Sequence, residues 1–372
     1  MSNFIQLHFL TAYPPSNLNR DDLGRPKTAV FGGTQRLRVS SQSLKRAWRT
    51  SDAFSNALHD QKGTRTKGLG NELYAKLAEE LGEKKADETA KELAKLYGEL
   101  KSPKKDGEKA AAEAREHETL VFLSPGEQQA LETLALKLAK EKRAPTKEEL
   151  AAFPMSGHGA ADIALFGRML AATPGKNVEA AAQVAHALSV HRVTVEDDFF
   201  TAVDDLNKHD EDAGAGHMGS TEFAAALFYE YVCIDRELLL RNLDGNEALA
   251  AKTVRALIEA CLTASPTGKK NSFASSARAS FALAEKGNQQ PRSLAVSFLK
   301  AVEGADQMVT AIAALKDTRA KMDRAYGACW ASEAILDAVG GRGSLKELLD
   351  FVAAPSGFEG GKGGAEPTGR GA

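Results

Sequence analysis

The chain has 372 residues, 43% of them hydrophobic, with 48 Lys and Arg against 50 Asp and Glu for a formal net charge of −2. This is two or three domains' worth of chain with enough apolar content for a sizeable core, and no global excess of positive charge marks it as a nucleic-acid binder. No run of about 18 apolar residues is present, which excludes a spanning helix. Three cysteines far apart (Cys233, Cys261, Cys329), without a C-x-x-C pair, exclude a disulfide framework and a zinc ribbon.

Ile5, Leu7 and Phe9 alternate with Gln6 and His8, so the chain opens on a strand, which Pro14-Pro15 is expected to end. Neither a basic n-region nor a long apolar segment stands there, and a soluble, cytoplasmic protein is expected. Ser16 to Lys27 reads as a polar, charged loop, and Gly32-Gly33 as a turn. Arg36-Leu37-Arg38-Val39 alternates again, predicting a short strand with its arginines on one face. Ser40 or Ser41 then makes an N-cap for a helix running through about Thr50.

From about Asn56 to Phe153 the composition shifts to Ala, Glu, Lys and Leu, the signature of a helical insertion. Leu93, Leu96, Tyr97 and Leu100 form a stripe, and capping boxes stand at Ser124 to Glu127 and Thr146 to Glu149. The lysine-rich segment Lys101 to Glu113 is expected to be poorly ordered. Strand character is read at Asp162 to Met169 and again at Phe223 to Ile234. Asn246 opens a long helix with Leu249, Val254, Leu257, Ile258 and Cys261 as its buried stripe, and a second helical pattern covers Leu294 to about Tyr326. The end of the chain, from Ser356, is Gly-rich and expected to be disordered. Strands and helices alternating at both ends point to an α+β domain interrupted by insertions.

Charge is unevenly distributed. Met1 to Thr50 holds eight basic residues against Asp21 and Asp22, a local +6. Glu196 to Asp212 holds eight acidic residues against Lys208, a local −7, and a second basic stretch runs from Thr263 to Arg292. A near-neutral protein can therefore carry a basic groove, although any single run is also what a solvated surface looks like.

Two motifs carry little chemistry. Gly214-Ala215-Gly216-His217-Met218-Gly219 matches G-x-G-x-x-G, but it follows acidic residues rather than a hydrophobic strand and reads as a loop tip. His186 and His191, near Asp197, Asp198, Asp204 and Asp205, have no familiar metal-ligand spacing. Two others carry more. On the helix that follows Ser40, Gln42, Lys45, Arg46 and Arg49 fall at i, i+3, i+4 and i+7 on one face, while Leu44, Ala47 and Trp48 fall where they can bury. The free N–H groups of Ser40 to Ser43 lie at the helix start, where the macrodipole favours anions, so a phosphate chain would meet backbone donors, hydroxyls and then three cations. Phe199-Phe200 stands inside the acidic run and needs a partner: its own core, a neighbouring subunit, or bases, where stacking is worth roughly 1–3 kcal/mol per base.

At these residues the sequence closely resembles the CasC family, the crRNA-binding backbone subunit of type I-E CRISPR Cascade. The resemblance rests on MSNFIQLHFL, Leu18-Asn19-Arg20-Asp21-Asp22, Phe31-Gly32-Gly33 and Val39-Ser40-Ser41-Gln42-Ser43-Leu44-Lys45-Arg46-Ala47. It continues through Ile163-Ala164-Leu165, Gly167-Arg168-Met169, Phe200-Thr201-Ala202-Val203-Asp204-Asp205-Leu206 and Gly219-Ser220-Thr221-Glu222-Phe223. It holds to about residue 240, with the helical insertion and everything after Asp244 matching loosely. It implies an α+β fold shaped as a right hand: an RRM-like (ferredoxin-like) palm in residues 1–55, 156–190 and 223–350, helical fingers in 56–155, a β-hairpin thumb in 191–222, and a Gly-rich tail in 351–372.

The resemblance also implies a function. Several copies stack as a helical filament on the spacer of one crRNA and present it to target DNA in antiviral defence. It implies crRNA contacts from Lys27, Ser40, Gln42, Lys45, Arg46 and Arg49, a groove lined by Arg20 and Met169, and thumb residues Phe199, Phe200, Thr201 and Val203 over the guide. Asp22 is implied to touch the neighbouring subunit. Arg49 stands where Lys is expected and Phe199 where Trp is expected; the first keeps the charge and the second keeps an apolar wedge of smaller area. Further implied partners are the large, small, repeat-processing and 5'-handle-binding Cascade subunits and a recruited helicase-nuclease that cuts DNA. No catalytic residue, metal, cofactor or membrane is expected for this chain. Phosphate contacts hold an RNA without reading its sequence, as a protein serving arbitrary spacers requires, and pairing then carries specificity. Two alternatives stand beside this reading: a metal-dependent ribonuclease using Asp21 and Asp22, and a filament protein whose patches bind only protein.

Overall fold

β1 (Phe4–Ser16), β2 (Thr28–Phe31) and β3 (Thr34–Val39) open the chain, followed by α1 (Ser41–Arg49) and α2 (Asp52–Ala57). An insertion follows: β4 (Thr64–Thr66), α3 (Leu69–Leu81), α4 (Glu83–Ala94), α5 (Glu108–Glu113), β5 (Val121–Leu123), α6 (Pro125–Glu141) and α7 (Lys147–Ala151). Next come α8 (Ala161–Phe166), β6 (Ala182–Val184), β7 (Ala187–Ser189), β8 (Glu196–Ala202) and β9 (His217–Asp235). The chain closes with α9 (Arg236–Asn242), α10 (Glu247–Thr263), α11 (Lys270–Phe273), β10 (Ala279–Gly287), α12 (Gln307–Tyr326), β11 (Ser332–Asp337) and α13 (Leu345–Ala353). The computed structural model describes residues 3–103, 107–157, 159–170, 173–202 and 217–354.

The main sheet is antiparallel, in the order β11-β10-β1-β9-β7-β3-β2, with β6 and β8 also pairing with β9. This is the α+β, RRM-like arrangement expected from the sequence. β1 and β9 sit at its centre and carry the longest ladder, from Phe4 opposite Asp235 to Ser16 opposite Ala224. One face packs Ile5, Leu7 and Phe9 against Leu44 and Trp48 of α1, Phe54 of α2 and Leu257 of α10. The other packs Leu10, Tyr229 and Phe281 against Phe298 and against Ala311 and Leu315 of α12. Burying each of these large side chains is worth about 1.5–3 kcal/mol, so the two layers together fix the sheet between them. The insertion has its own core, built from Leu73, Leu77, Ala90, Leu93, Tyr97, Leu131 and Leu138. Both capping boxes are formed, at Ser124 with Glu127 and at Thr146 with Glu149.

Alternation in β1 does not separate core from solvent here, because helices cover both faces. Gln6 and His8 are as buried as their apolar neighbours. Gln6 Oε1 accepts from the Tyr231 hydroxyl at 2.9 Å and from the Arg292 backbone N–H at 2.8 Å. His8 Nδ1 meets the Tyr229 hydroxyl at 2.9 Å, and Glu285 beside it takes ion pairs from Arg292 and Arg319 at 2.6 and 2.7 Å. Burial pushes the Glu285 carboxyl up, but the hydrogen bonds from His8 and Arg292 outweigh it and hold the pKa at about 2.

The structure corrects several expectations. β1 runs through Pro14 and Pro15 to Ser16, since β10 has stopped pairing by then and the register with β9 shifts between Tyr13 and Ser16. A residue without an N–H is tolerated where the ladder is already broken. Asp162 to Phe166 is helix α8 rather than strand, ended by Gly167 at φ +77°; an apolar run of four residues, Ile163 to Phe166, has no period that separates the two. The segment Leu294 to Tyr326 is a 3-10 turn at Ala295–Phe298 and then α12, parted by Gly304 at φ +91°. Within Lys101 to Glu113, Glu108–Glu113 is helix α5, and residues 104–106 lie outside the described residues. The tail expected from 351 begins later, because α13 continues to Ala353, and residues 355–372 lie outside the described residues, as do Val203 and the Gly214-Ala215-Gly216 part of the glycine motif.

Glu230, on the face of β9 opposite Tyr229, is a buried carboxyl beneath α10 whose pKa burial raises to about 8, with the Thr11 hydroxyl easing only part of that. An unfolded glutamate titrates near 4.5. Between the two values the folded chain holds a proton that the unfolded chain has released, so stability falls as pH rises through that window. Glu285 contributes stability that is lost only below its unfolded value, so the two windows do not overlap. Glu230→Gln is expected to remove this residue's share of the slope, roughly tenfold in the folding equilibrium per pH unit, and to leave the opposite contribution of His8, whose pKa burial lowers. Denaturant midpoints measured between about pH 5 and 8 for both proteins check this; parallel curves would refute it.

Candidate nucleic-acid interface

α1 forms where the sequence places it. Ser40 is the N-cap, its hydroxyl accepting from the Ser43 N–H, and Leu44, Ala47 and Trp48 are buried. Gln42 and Arg46 are exposed and Lys45 is half-buried, so these three present the outer face. Two of the four N–H groups expected to be free are already used: that of Ser43 by the cap and that of Ser40 by Asn19 Oδ1 at 2.9 Å. Among the described residues the N–H groups of Ser41 and Gln42 remain open at the positive end of the helix dipole, which favours an anion there by about 0.3–1 kcal/mol.

Arg49 departs from the expected row. Its Nε meets Asp162 Oδ2 at 2.6 Å, its Nη2 donates to the Gly63 carbonyl at 2.7 Å, and its guanidinium lies 4.9 Å from the Phe122 ring centre. Burial raises the Asp162 carboxyl, and Arg49 together with the Gly63 N–H works against that. Arg49 is thus turned inward, onto α8 and the insertion. α8 also supplies Phe166, 5.8 Å from the Lys45 ammonium. The loop after α8 carries Arg168 and Met169 to opposite fates. Arg168 is buried and pairs with Glu127 of α6 at 2.6 Å, also donating to the Phe122 and Lys176 carbonyls. Met169 is 85% exposed.

Loop 17–27 is stitched to this helix. Asn19 caps Ser40 from one side and its carbonyl accepts from the Lys27 N–H. Asn17 Nδ2 donates to the Gly24 and Glu222 carbonyls, tying the loop to the base of β9. Arg20 is exposed and Lys27 half-buried near the N-terminus of α1, where Lys27 and Arg38 act on His186. Asp21 Oδ1 accepts from the Leu23 and Arg25 N–H groups, a local turn, and Asp22 is exposed beside it. Among the described residues no three His, Cys, Asp or Glu side chains converge as a metal-ligand set.

β8 and the first part of β9 project as a hairpin from the sheet. Every residue of β8 is exposed, including Phe199 at 66%. Successive strand residues point to opposite faces, so Phe199 and Thr201 share one side and Phe200 takes the other. A single wedge of Phe199 with Phe200 is therefore divided by the pleat. Phe200 lies opposite Gly219, its ring filling the space a Cβ there would need at 2.5 Å.

Sequence reasoning missed Arg65, and the two arginines of β3 differ in their surroundings. Arg36 is buried and its guanidinium is satisfied by the carbonyls of Phe31, Ser189 and Phe298, while Arg38 of the same strand reaches His186 at 2.9 Å. Arg65, on β4, joins Lys45, Arg46 and Arg49 across the gap between the insertion and α1. Its only signal in the sequence was a cation in a three-residue strand, which no periodicity exposes.

Fold and site together define an α+β protein whose central sheet carries a basic helix at one edge, a helical insertion and a projecting hairpin. The Cas CT1975-like protein family matches residues 5–346, and the chain belongs to that family. A chain of a solved structure described as "CRISPR RNA-guided surveillance complex, pre-nicking" is 31% identical, with a TM-score of 0.77 over 93% of this chain and 95% of that one. A chain of another "CRISPR RNA-guided surveillance complex" is 26% identical, with a TM-score of 0.59 over 94% of this chain and 98% of that one. A search of curated proteins gives no match.

The Arg168–Glu127 pair bolts the insertion to the palm, and each side chain is 1% exposed. Glu127→Ala leaves a buried guanidinium without its counter-charge and is expected to cost about 3–5 kcal/mol. Urea unfolding measures this; a loss below about 1 kcal/mol would mean the pair is a surface-grade contact.

Proposed function

We propose that this chain is the repeated backbone subunit of a type I-E CRISPR Cascade effector, acting in the cytoplasm. Several copies bind the crRNA spacer as a helical filament through its phosphates and present it for pairing with target DNA. Lys27, Ser40, Gln42, Lys45 and Arg46 hold the phosphate path, Arg20 and Met169 line it, and Asp22 meets the next copy. The thumb residues Phe199, Phe200, Thr201 and Val203 lie over the guide. The large, small, repeat-processing and 5'-handle-binding subunits and a helicase-nuclease complete the partners. Family membership and the likeness to surveillance-complex chains support this reading.

The observation that carries the RNA contact is the charge imbalance around α1. Lys45, Arg46, Arg49 and Arg65 lie together, and among the described residues the carboxylate that acts on them, Asp162, is taken by Arg49. Such a cluster is stabilised by a polyanion. Lys45→Glu with Arg46→Glu is expected to abolish RNA co-purification while the protein stays folded by circular dichroism. RNA retained at wild-type level would overturn the groove.

We propose further that the chain is not catalytic. Asp21, one of the two carboxylates a ribonuclease would need, is committed to the turn it caps. Asp22→Ala is therefore expected to weaken assembly and to change no cleavage. A Mg²⁺-dependent cut of labelled RNA by the wild type that disappears in Asp22→Ala would establish the nuclease instead.

A further inference from the structure

Phe122 of β5 sits between the insertion and the palm, packed with Ala160, Ile163 and Val178. Two guanidinium groups lie against its ring: Arg49 from α1 at 4.9 Å and Arg65 from β4 at 5.0 Å. Their situations differ. Arg49 has Asp162 and the Gly63 carbonyl as partners. Arg65 is exposed, and among the described residues no hydrogen bond or ion pair involves its guanidinium.

Arg65 is also set among like charges. Lys45 feels it directly, and Arg49 and Arg46 both act on it, against Asp162 alone. Two like charges thus act on Arg65 against one opposite charge, so the free protein holds the side chain at an electrostatic cost. A long, flexible side chain in solvent ordinarily swings away from such neighbours. The Phe122 face opposes that, since a guanidinium over an aromatic ring gains about 0.5–1 kcal/mol at an exposed site. The group that relieves a cluster of this kind is an anion, and an arginine fork suits a phosphate oxygen pair.

We propose that Arg65 is a phosphate-binding residue of the guide groove, contributed by the insertion, and that Phe122 is the platform that aims it beside Arg46. This rests on the reading of α1 as the RNA path and extends that path from the palm onto the fingers. Arg49, held by Asp162, acts as a positioning residue through the same ring. One phosphate run thus crosses the junction between two cores, so RNA bound there reports on how the insertion is seated.

The full-length chain and a labelled single-stranded RNA of mixed sequence test this by titration over a series of salt concentrations. Arg65→Ala is expected to weaken binding about tenfold or more at low salt, as loss of a charged hydrogen bond does. It should also flatten the slope of log affinity against log salt by roughly 0.7, the share of one single-strand phosphate. Arg65→Lys should restore the slope, and the weakening should be equal for two RNAs of unrelated sequence. Unchanged affinity and slope in Arg65→Ala, with Arg46→Ala impaired, would overturn the inference and leave the groove standing. Unchanged binding in both variants would overturn the groove and the inference with it. A lower melting temperature with an unchanged salt slope would also overturn it, because Arg65 would then be packing only.

Discussion

Taking Arg168 and Glu127 out of water costs several kcal/mol per ion, and their attraction offsets that only where the surrounding hydrogen bonds are complete. Here they nearly are. Glu127 also accepts from the Ser124 and Gly157 N–H groups, and Arg168 donates to two carbonyls besides. Because the acid belongs to α6 of the insertion and the base follows α8 of the palm, the pair makes the two cores one lever. Through it the loop that exposes Met169, the Phe122 ring and the helix that grips Arg49 keep fixed places relative to the sheet.

The same economy of charge runs through the palm. On the α12 side of the sheet, Glu285 gathers Arg292 and Arg319, and Arg319 in turn reaches Glu333 and lies over Trp330. Buried arginines are thus matched by carboxylates or, for Arg36, by carbonyls, while the buried Lys286 has the Ala354 carbonyl and the Phe351 ring. On the outer side of α1 and on β4, Lys45, Arg46 and Arg65 stand close together with no carboxylate of their own among the described residues. Like charges held this close favour an anionic partner there.

Glycine places two of the features that this surface depends on. Gly32 and Gly33, at φ +59° and +75°, turn β2 into β3, and a Cβ on Gly32 would fall 1.6 Å from the Leu299 carbonyl oxygen. That turn sets the strand that delivers Ser40 to its capping position. Gly219 leaves room for the Phe200 ring on one face of the thumb, so that Phe199, on the other, is the more exposed of the two.

Much was determined by the sequence alone. The cap at Ser40, the amphipathic face of α1, both capping boxes, the Asn246 helix and strand β9 are local features, written in residue type and spacing within a turn or two of chain. The motif order carried the resemblance to a CRISPR Cascade subunit, which the family match and the solved structures support at that level. Other features came only from tertiary structure, because they depend on residues far apart in sequence. Asp162 to Phe166 folds as helix since an apolar run takes its form from what covers it. Gln6 and His8 are core because a second helical layer closes over them. Arg49 turns inward because Asp162, more than a hundred residues later, is buried beneath it, and Arg65 comes beside Arg49 and the Phe122 ring because β4 pairs with β5. Periodicity records which side of an element faces inward; it holds no information on which distant charge waits there, and that is what decides whether a cation is a strut or a contact.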